Sequence, residues 1–293
     1  MHNPPELVET SVVIPTFNRK ESLRKCLLSL HRQKPVNFRW EVVVVNDGGA
    51  SLENLRNEFD RGRFRFLDQK NTGPALARNR GVAEAKGRKI LFLDDDCEAH
   101  ENWVEQMTLN LKAKSLLAGK TINKSRAFAC SEASQVLLDY LMLSLKGTTE
   151  YFFTSNNLGV GKEDFHQLGG FDGDFKKAAG EDREFCVRAH FQGYTLERCL
   201  DAQIEHSHEL SFRRFLKMHF KYGNATHTYK NVKKKRAITY KTLRIRGFHL
   251  KMLWYPLSLQ KYHLPYRVYL SWLIGWSQVA TLAGFLAAKI QRH

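Results

Sequence analysis

Three consecutive carboxylates, Asp94, Asp95 and Asp96, close the apolar run ILFL at Ile90 to Leu93. Like charges packed this closely repel one another, and burial at the end of a hydrophobic strand raises the cost. Two arrangements relieve it: a solvated acidic turn, or a bound hard cation. Mg²⁺ or Mn²⁺ binds through one or two carboxylates and leaves its other positions to water and phosphate oxygens. A second acidic pair, Glu181 and Asp182 in GEDREF, opens a helical pattern. The helix dipole stabilises acids there, and a carboxylate so placed can also take a proton from an attacking hydroxyl. Asp47 in NDGG is ordinary turn chemistry, or an acceptor for a nucleobase or a ribose. Arg78 in ARNRG belongs to a solvated helix face or forms a bidentate contact with phosphate. His206 in IEHSHE is a structural histidine or one ligand to a cation on the same face.

Such groups work only if the backbone gathers them. SVVI at Ser11 to Ile14, VVVV at Val42 to Val45 and ILFL are β-branched or apolar without alternation, as strands buried on both faces of a parallel sheet are. A further strand is predicted at Phe64 to Leu67. Lys20 to Gln33 places Leu23, Leu27 and Leu30 on one helical face, and Pro74 to Ala85 offers Leu76, Val82 and Ala83. Strand and helix alternate, the pattern of an α/β domain. The three apolar runs end in PTFN, NDGG and DDD. Ligands of open α/β sheets sit beyond the carboxyl ends of the strands, so this is the expected active face. Beyond it, helices are predicted over 101–113, 132–145 and 163–168.

The net charge of +16 is unevenly spread. From Leu210 to His293 there is no Asp or Glu against 17 Lys and Arg, and the first 209 residues sum to −1. The expected division is therefore a body over 1–209 and a basic helical region over 210–293 that faces something anionic. Val268 to Ala288 is uncharged for 21 residues, long enough to span a membrane, yet Ser271, Ser277, Gln278, Thr281 and Gly284 share one side of the helix. Spanning and lying in the interface both fit. An anionic membrane surface is the expected partner; nucleic acid is not, because it does not need an adjoining uncharged apolar segment. Five scattered cysteines without a CxxC pair argue against a zinc knuckle or a disulfide framework and suit a reducing compartment. The first ten residues show no apolar signal core. There is no GxGxxG after the first strand and no GxxxxGK[ST], which argues against a dinucleotide site and a P-loop.

In order and spacing, the blocks SVVIPTFNR, EVVVVNDGG, NTGPALARNRG, ILFLDDDC, SNNLGVGKEDFHQLGGFD and GEDREFCVRAHFQGY resemble the family 2 glycosyltransferases, from about Thr10 to His208. The resemblance implies a GT-A fold, a Rossmann-like mixed sheet flanked by helices, here with a basic helical C-terminal extension. It implies transfer of a sugar from a nucleotide-diphosphate donor to an acceptor hydroxyl, with inversion. Carried over by position, Pro15, Thr16 and Asn18 would line the nucleoside pocket, Asp47 would contact the base, and Arg78 and Asp95 would serve the donor. Asp94 and Asp96 match the outer positions of the family's DxD and would hold Mg²⁺ or Mn²⁺, with His206 as a later contact. Asp182 matches the general base, while Asn156, Asn157 and Glu181 fall in the sugar and acceptor pocket. The chain departs from the family in NDGG, which replaces the common DDGS, and in lacking the QxxRW block of processive synthases after Asp182. Single-sugar transfer at the cytoplasmic face of a membrane, to an envelope polysaccharide or a lipid-linked acceptor, is the expectation. A sugar-nucleotidyltransferase and a non-catalytic basic scaffold are the alternatives.

Overall fold

The structure is a computed structural model that describes residues 7–59, 62–175, 179–236 and 247–290. It divides into two compact units. One comprises Met1–Ile122 with Phe153–His206, the other Asn123–Phe152 with Ser207–His293. The second unit thus begins three residues before the charge break at Leu210 and also takes 123–152, a stretch whose composition resembles that of the body.

The first unit is an eight-stranded mixed sheet. Its strands are β1 (Val8–Thr16), β2 (Arg39–Asp47), β3 (Phe64–Gln69), β4 (Lys89–Leu93), β5 (Cys97–Ala99), β6 (Ser115–Asn123), β7 (Asn157–Gly161) and β8 (Thr195–His206). They lie in the order β3-β2-β1-β4-β7-β6-β8-β5. The three apolar runs are the central parallel strands: Val12 is opposite Val42 and Leu91, and all three side chains are fully buried. Each such residue withdrawn from water contributes about 1.5–3 kcal/mol, which is why no alternation appears in these strands. β7 runs antiparallel to β4 and β6, making the sheet mixed.

Helices α1 (Lys20–His31), α2 (Glu53–Phe59), α3 (Pro74–Glu84), α4 (Trp103–Asn110), α6 (Lys162–Gln167) and α7 (Glu181–Phe191) flank the sheet. In α1, Leu23, Leu27 and Leu30 are buried as their spacing predicts. In α3 the expected face is corrected. Val82 is buried, but Leu76 and Ala83 are exposed, and the inward face is Ala75, Ala77, Arg78, Gly81 and Val82. Small residues let α3 lie close on β1 and β2, so the large side chain that enters is the arginine.

The second unit is helical: α5 (Ala129–Leu145), α8 (Phe212–Lys235), α9 (Phe248–Trp254), a 3₁₀ turn at Tyr255–Ser258, and α10 (Leu264–Ile290). Ser211 caps α8 by accepting from the Arg214 N–H. Its core joins Ala133, Val136 and Tyr140 of α5 to Phe215, Met252, Leu270, Leu273 and Ile274. Buried Glu132 accepts from Asn123 Nδ2 at 2.7 Å and from the Tyr262 hydroxyl.

Candidate active site

The carboxyl ends of β1, β2 and β4 bring three polar clusters to one edge of the sheet. At β1, Pro15 is buried and the Thr16 hydroxyl donates to Asp95 Oδ2 at 2.7 Å. Asn18 adopts φ 56°, a left-handed conformation that Asn tolerates, and its Oδ1 accepts the Ala50 N–H at 2.8 Å. The loops after β1 and β2 are therefore tied together. Gly49 belongs to that tie: a Cβ there would lie 2.8 Å from the Asn18 backbone nitrogen.

Asp47 is buried, and its two oxygens accept Gln69 Nε2 at 2.7 Å, the Thr72 N–H at 2.9 Å and the Gly73 N–H at 2.8 Å. It organises the loop that starts α3, whose first turn leads to Arg78.

Asp94 follows β4 and accepts Arg78 Nη2 at 2.6 Å; Arg78 Nη1 reaches Glu181 Oε1 at 3.1 Å. Arg78 is only 4% exposed, so the solvated-face alternative does not hold, and in this structure its partners are carboxylates. Arg78 Nε has no partner among the described residues, a buried donor left over at the centre of the site. Asp95 is buried and its carboxyl is pushed up to about 6. Burial is the main cause, Arg19 pulls the other way, and Asp96 adds to the rise. Arg19 was not a sequence candidate. It bridges Asp95 at 3.1 Å and Asp96 at 2.7 Å from the residue after Asn18.

The short strand β5 places Cys97 opposite His206 in the ladder with β8, and His206 Nε2 therefore comes 3.4 Å from Asp96 Oδ1. Burial lowers the basicity of His206, but the hydrogen bond and charge of Asp96 outweigh it, so the net shift is upward. Asp96, Cys97 and His206 offer ligand atoms within 4.8 Å of one another. Burial holds the Cys97 thiol protonated, so the remaining donors are the Asp96 carboxylate, which suits a hard cation, and the His206 imidazole, a softer nitrogen donor that ligates only when neutral. This donor set fits Mn²⁺ or Mg²⁺. Asp94 faces Arg78 instead.

Gly180, in the left-handed region, caps α7, which opens with Glu181 and Asp182. Glu181 is buried, bonded to Arg78 and to the Ala179 N–H. Asp182 is half-buried and its Oδ1 accepts the Arg183 N–H at 2.7 Å. Its carboxyl is raised to about 7 by desolvation first and by the Glu181 charge second, against the pull of Arg78 and of backbone N–H donors. Arg78 thus links Asp94 to the acids of α7. Asn156 Oδ1 accepts the Thr154 hydroxyl at 2.8 Å. Asn157 is almost wholly buried, accepting Trp103 Nε1 at 2.8 Å, so it anchors β7 to α4.

Comparison with known proteins finds likenesses in sequence and in fold. Residues 11–128 match the family model "Glycosyl transferase family 2", and residues 143–212 match "N-terminal domain of galactosyltransferase". The putative glycosyltransferase EpsH of Bacillus subtilis is 27% identical over 201 residues, covering 64% of this chain and 57% of that protein. The validoxylamine A glucosyltransferase of Streptomyces hygroscopicus subsp. limoneus is 28% identical over 255 residues, covering 71% and 56%. The chain thus spans less than two thirds of the length of either relative. Among solved structures, a mannosyltransferase from Pyrobaculum calidifontis in complex with GDP-Man and Mn²⁺ superposes with a TM-score of 0.62 at 14% identity, over 96% of this chain and 88% of that one. Staphylococcus aureus TarS 1-349 follows at 0.53 and 14%, over 97% and 91%. At these identities the likeness is one of fold.

Proposed function

Because this chain belongs to the family 2 glycosyltransferases, with their GT-A fold, we propose that it transfers a sugar from a nucleotide-diphosphate donor to an acceptor hydroxyl. The reaction is a metal-assisted single displacement with inversion, and its product is an envelope polysaccharide or a glycolipid. One observation carries the reading: Asp182, a half-buried carboxyl raised to about 7, directly follows Glu181, which Arg78 joins to Asp94 at the end of β4.

Asp96 and His206 would hold Mg²⁺ or Mn²⁺, while Asp94, the other outer position, is held by Arg78 beside them. When bound, the cation supplies charge stabilisation for the departing diphosphate. Thr16, Asn18 and Asp47 frame the nucleoside beside Pro15, and Asp95 serves the ribose. Arg78 orients Asp94 and Glu181 and offers its unused Nε–H to the donor. Asn156 and Glu181 shape the sugar and acceptor side, with Asn157 anchoring β7 behind them. Asp182 takes the acceptor hydroxyl's proton as that oxygen attacks the anomeric carbon from the face opposite the diphosphate. The second unit, with 20 Lys and Arg against the four acids Glu132, Asp139, Glu150 and Glu209, carries a charge equal to the chain's whole +16. We assign it to the anionic cytoplasmic face of a membrane, where lipid-linked acceptors reside.

Asp182→Asn tests the assignment. Transfer by the full chain should fall about 10²- to 10⁴-fold, the usual contribution of a general base. Donor affinity, measured by calorimetry with Mn²⁺, should stay unchanged. Lost donor binding with retained turnover would remove Asp182 from the role.

A further inference from the structure

Helix α10 wears its amphipathic pattern inside out. The side that carries its small and polar residues is the one packed into its own unit, where Ser277 and Gly284 are buried beside Leu270, Leu273 and Ile274. The opposite side is apolar and faces outward along the whole helix, with Leu264 63%, Val268 55%, Trp272 51%, Val279 57% and Leu286 48% exposed. Fewer than a quarter of the residues in its most apolar stretch are buried, so α10 is not a core helix. Exposed apolar strips of this length mark a surface that something covers.

The neighbour of α10 decides how that surface is covered. Helix α8 runs beside it in the same direction. Phe212 stacks on Trp272 with ring centres 5.7 Å apart, and Lys230 sits 4.4 Å over the Phe285 ring. Between those points the backbones nearly touch. A Cβ on Gly223 would lie 2.0 Å from the Thr281 carbonyl oxygen, and one on Gly284 would lie 2.0 Å from that of Phe220. Over the same length α8 exposes Arg213, Arg214, Lys217, Lys221 and Lys230. Were α10 to cross a bilayer, this contact would carry five cations to hydrocarbon depth, where ionised side chains are costly.

Resting on the membrane reading above, we propose that α10 is an in-plane anchor, lying along an anionic bilayer with the Leu264–Val268–Trp272–Val279–Leu286 strip submerged and α8 at the headgroups. Charge complementarity selects the occupant. The unit bearing the strip has a large positive excess, and two of its four acids, Glu132 and Glu150, are buried against Asn123 and Tyr229. Tyr269, Trp272 and Trp276 form one ring cluster on the outer side, the aromatic type that settles at the headgroup boundary.

The five native cysteines are buried, so single cysteines placed on the strip can be labelled selectively. Val268→Cys, Val279→Cys and Leu286→Cys in the full chain would each carry an environment-sensitive fluorophore. They would be mixed with phosphatidylglycerol–phosphatidylcholine vesicles containing nitroxide lipids at shallow or deep acyl positions. The anchor predicts the same shallow quenching at all three sites, with binding weakened at least tenfold on pure phosphatidylcholine or by Val268→Asp combined with Leu286→Asp. A depth gradient along the 18 residues from 268 to 286, about 27 Å at about 1.5 Å per residue, would overturn the in-plane geometry and leave the membrane reading standing. No vesicle binding, with the labels instead reporting concentration-dependent self-association, would overturn both and assign the strip to a second copy of the chain.

Discussion

The two units depart from the usual inside–outside rule in opposite directions. The first puts charge inside: Arg78, Asp95 and Glu181 are each less than a tenth exposed, around a site whose unit has no net charge, 26 Lys and Arg against 26 Asp and Glu. The second puts apolar surface outside: Trp254, Trp272 and Val279 are each more than half exposed in a unit of large positive charge. Buried polar groups and exposed apolar patches are the informative exceptions in folded proteins. In the proposed function one exception surrounds the charged donor and the other meets the membrane, so a substitution should be judged by which exception it touches.

After Asp182→Asn, the largest effect should come from Arg78. Arg78→Met leaves Asp94 and Glu181 facing each other without their shared cation. Losing one partner of a buried charge cluster costs about 3–5 kcal/mol. Val279→Ser, on the outer strip of the second unit and 57% exposed, should stay within about 0.5 kcal/mol in detergent-free buffer, as exposed substitutions do. Urea unfolding of the two variants measures the contrast directly. Equal losses would abolish it.

The raised Asp182 carboxyl separates activity from stability along the pH axis. In its proposed role as base it must be ionised, so kcat/KM should rise about tenfold per pH unit up to about 7 and then level off. Its contribution to stability has the reverse sign. The folded carboxyl holds its proton up to about 7, whereas an unperturbed one loses it near 3.8, so the native state binds more protons between those values. Stability from this group therefore declines as pH rises through that window. Asp182→Asn should remove that decline, which thermal unfolding at pH 5 and pH 8 will reveal. The second unit should not share the trend.

How much of this was legible beforehand follows from what a single sequence encodes. The central strands could be read because both faces are buried and every residue is apolar. β7 could not be: NLGVG is five residues with two glycines, and its antiparallel place beside β4 is set by pairing rather than by pattern. β8 reads as polar because only Cys199, Ala202 and Ile204 of its twelve residues are buried. At the site, the acids stood out as clusters, while their cations did not. Arg78 sits where a helical arginine is ordinarily solvated, and Leu76, the residue expected inside, is out. Arg19 carried one faint signal, a cation directly after a strand-end cluster. The charge count found the basic tail but missed 123–152, because α5 joins the second unit through packing of Ala133, Val136 and Tyr140 and not through charge.

Packing within the second unit makes truncation a poor probe of its surface, since α10 also supplies Leu270, Leu273 and Ile274 to the core. Gly284→Val is sharper. The added side chain would meet the Phe220 carbonyl, and overpacking of this kind costs about 1–3 kcal/mol. The loss should appear in the unfolding of the second unit, with Mn²⁺-dependent donor binding by the first unchanged.

The smallest effect should come from Arg19. Its ion pairs with Asp95 and Asp96 join a side chain 55% exposed to carboxylates 5% and 13% exposed, so it is well screened. Arg19→Ala should change stability by no more than about 1 kcal/mol. The same charge stands beside Asp96, the carboxylate proposed to hold the cation, and would repel a cation there. Removing it should tighten Mn²⁺ binding by about three- to tenfold at low salt, with the gain shrinking as ionic strength rises. A manganese titration followed by electron paramagnetic resonance would read it. Weaker binding instead would mean that Arg19 holds Asp96 in its liganding orientation, and that the cation is admitted beside the arginine without displacing it.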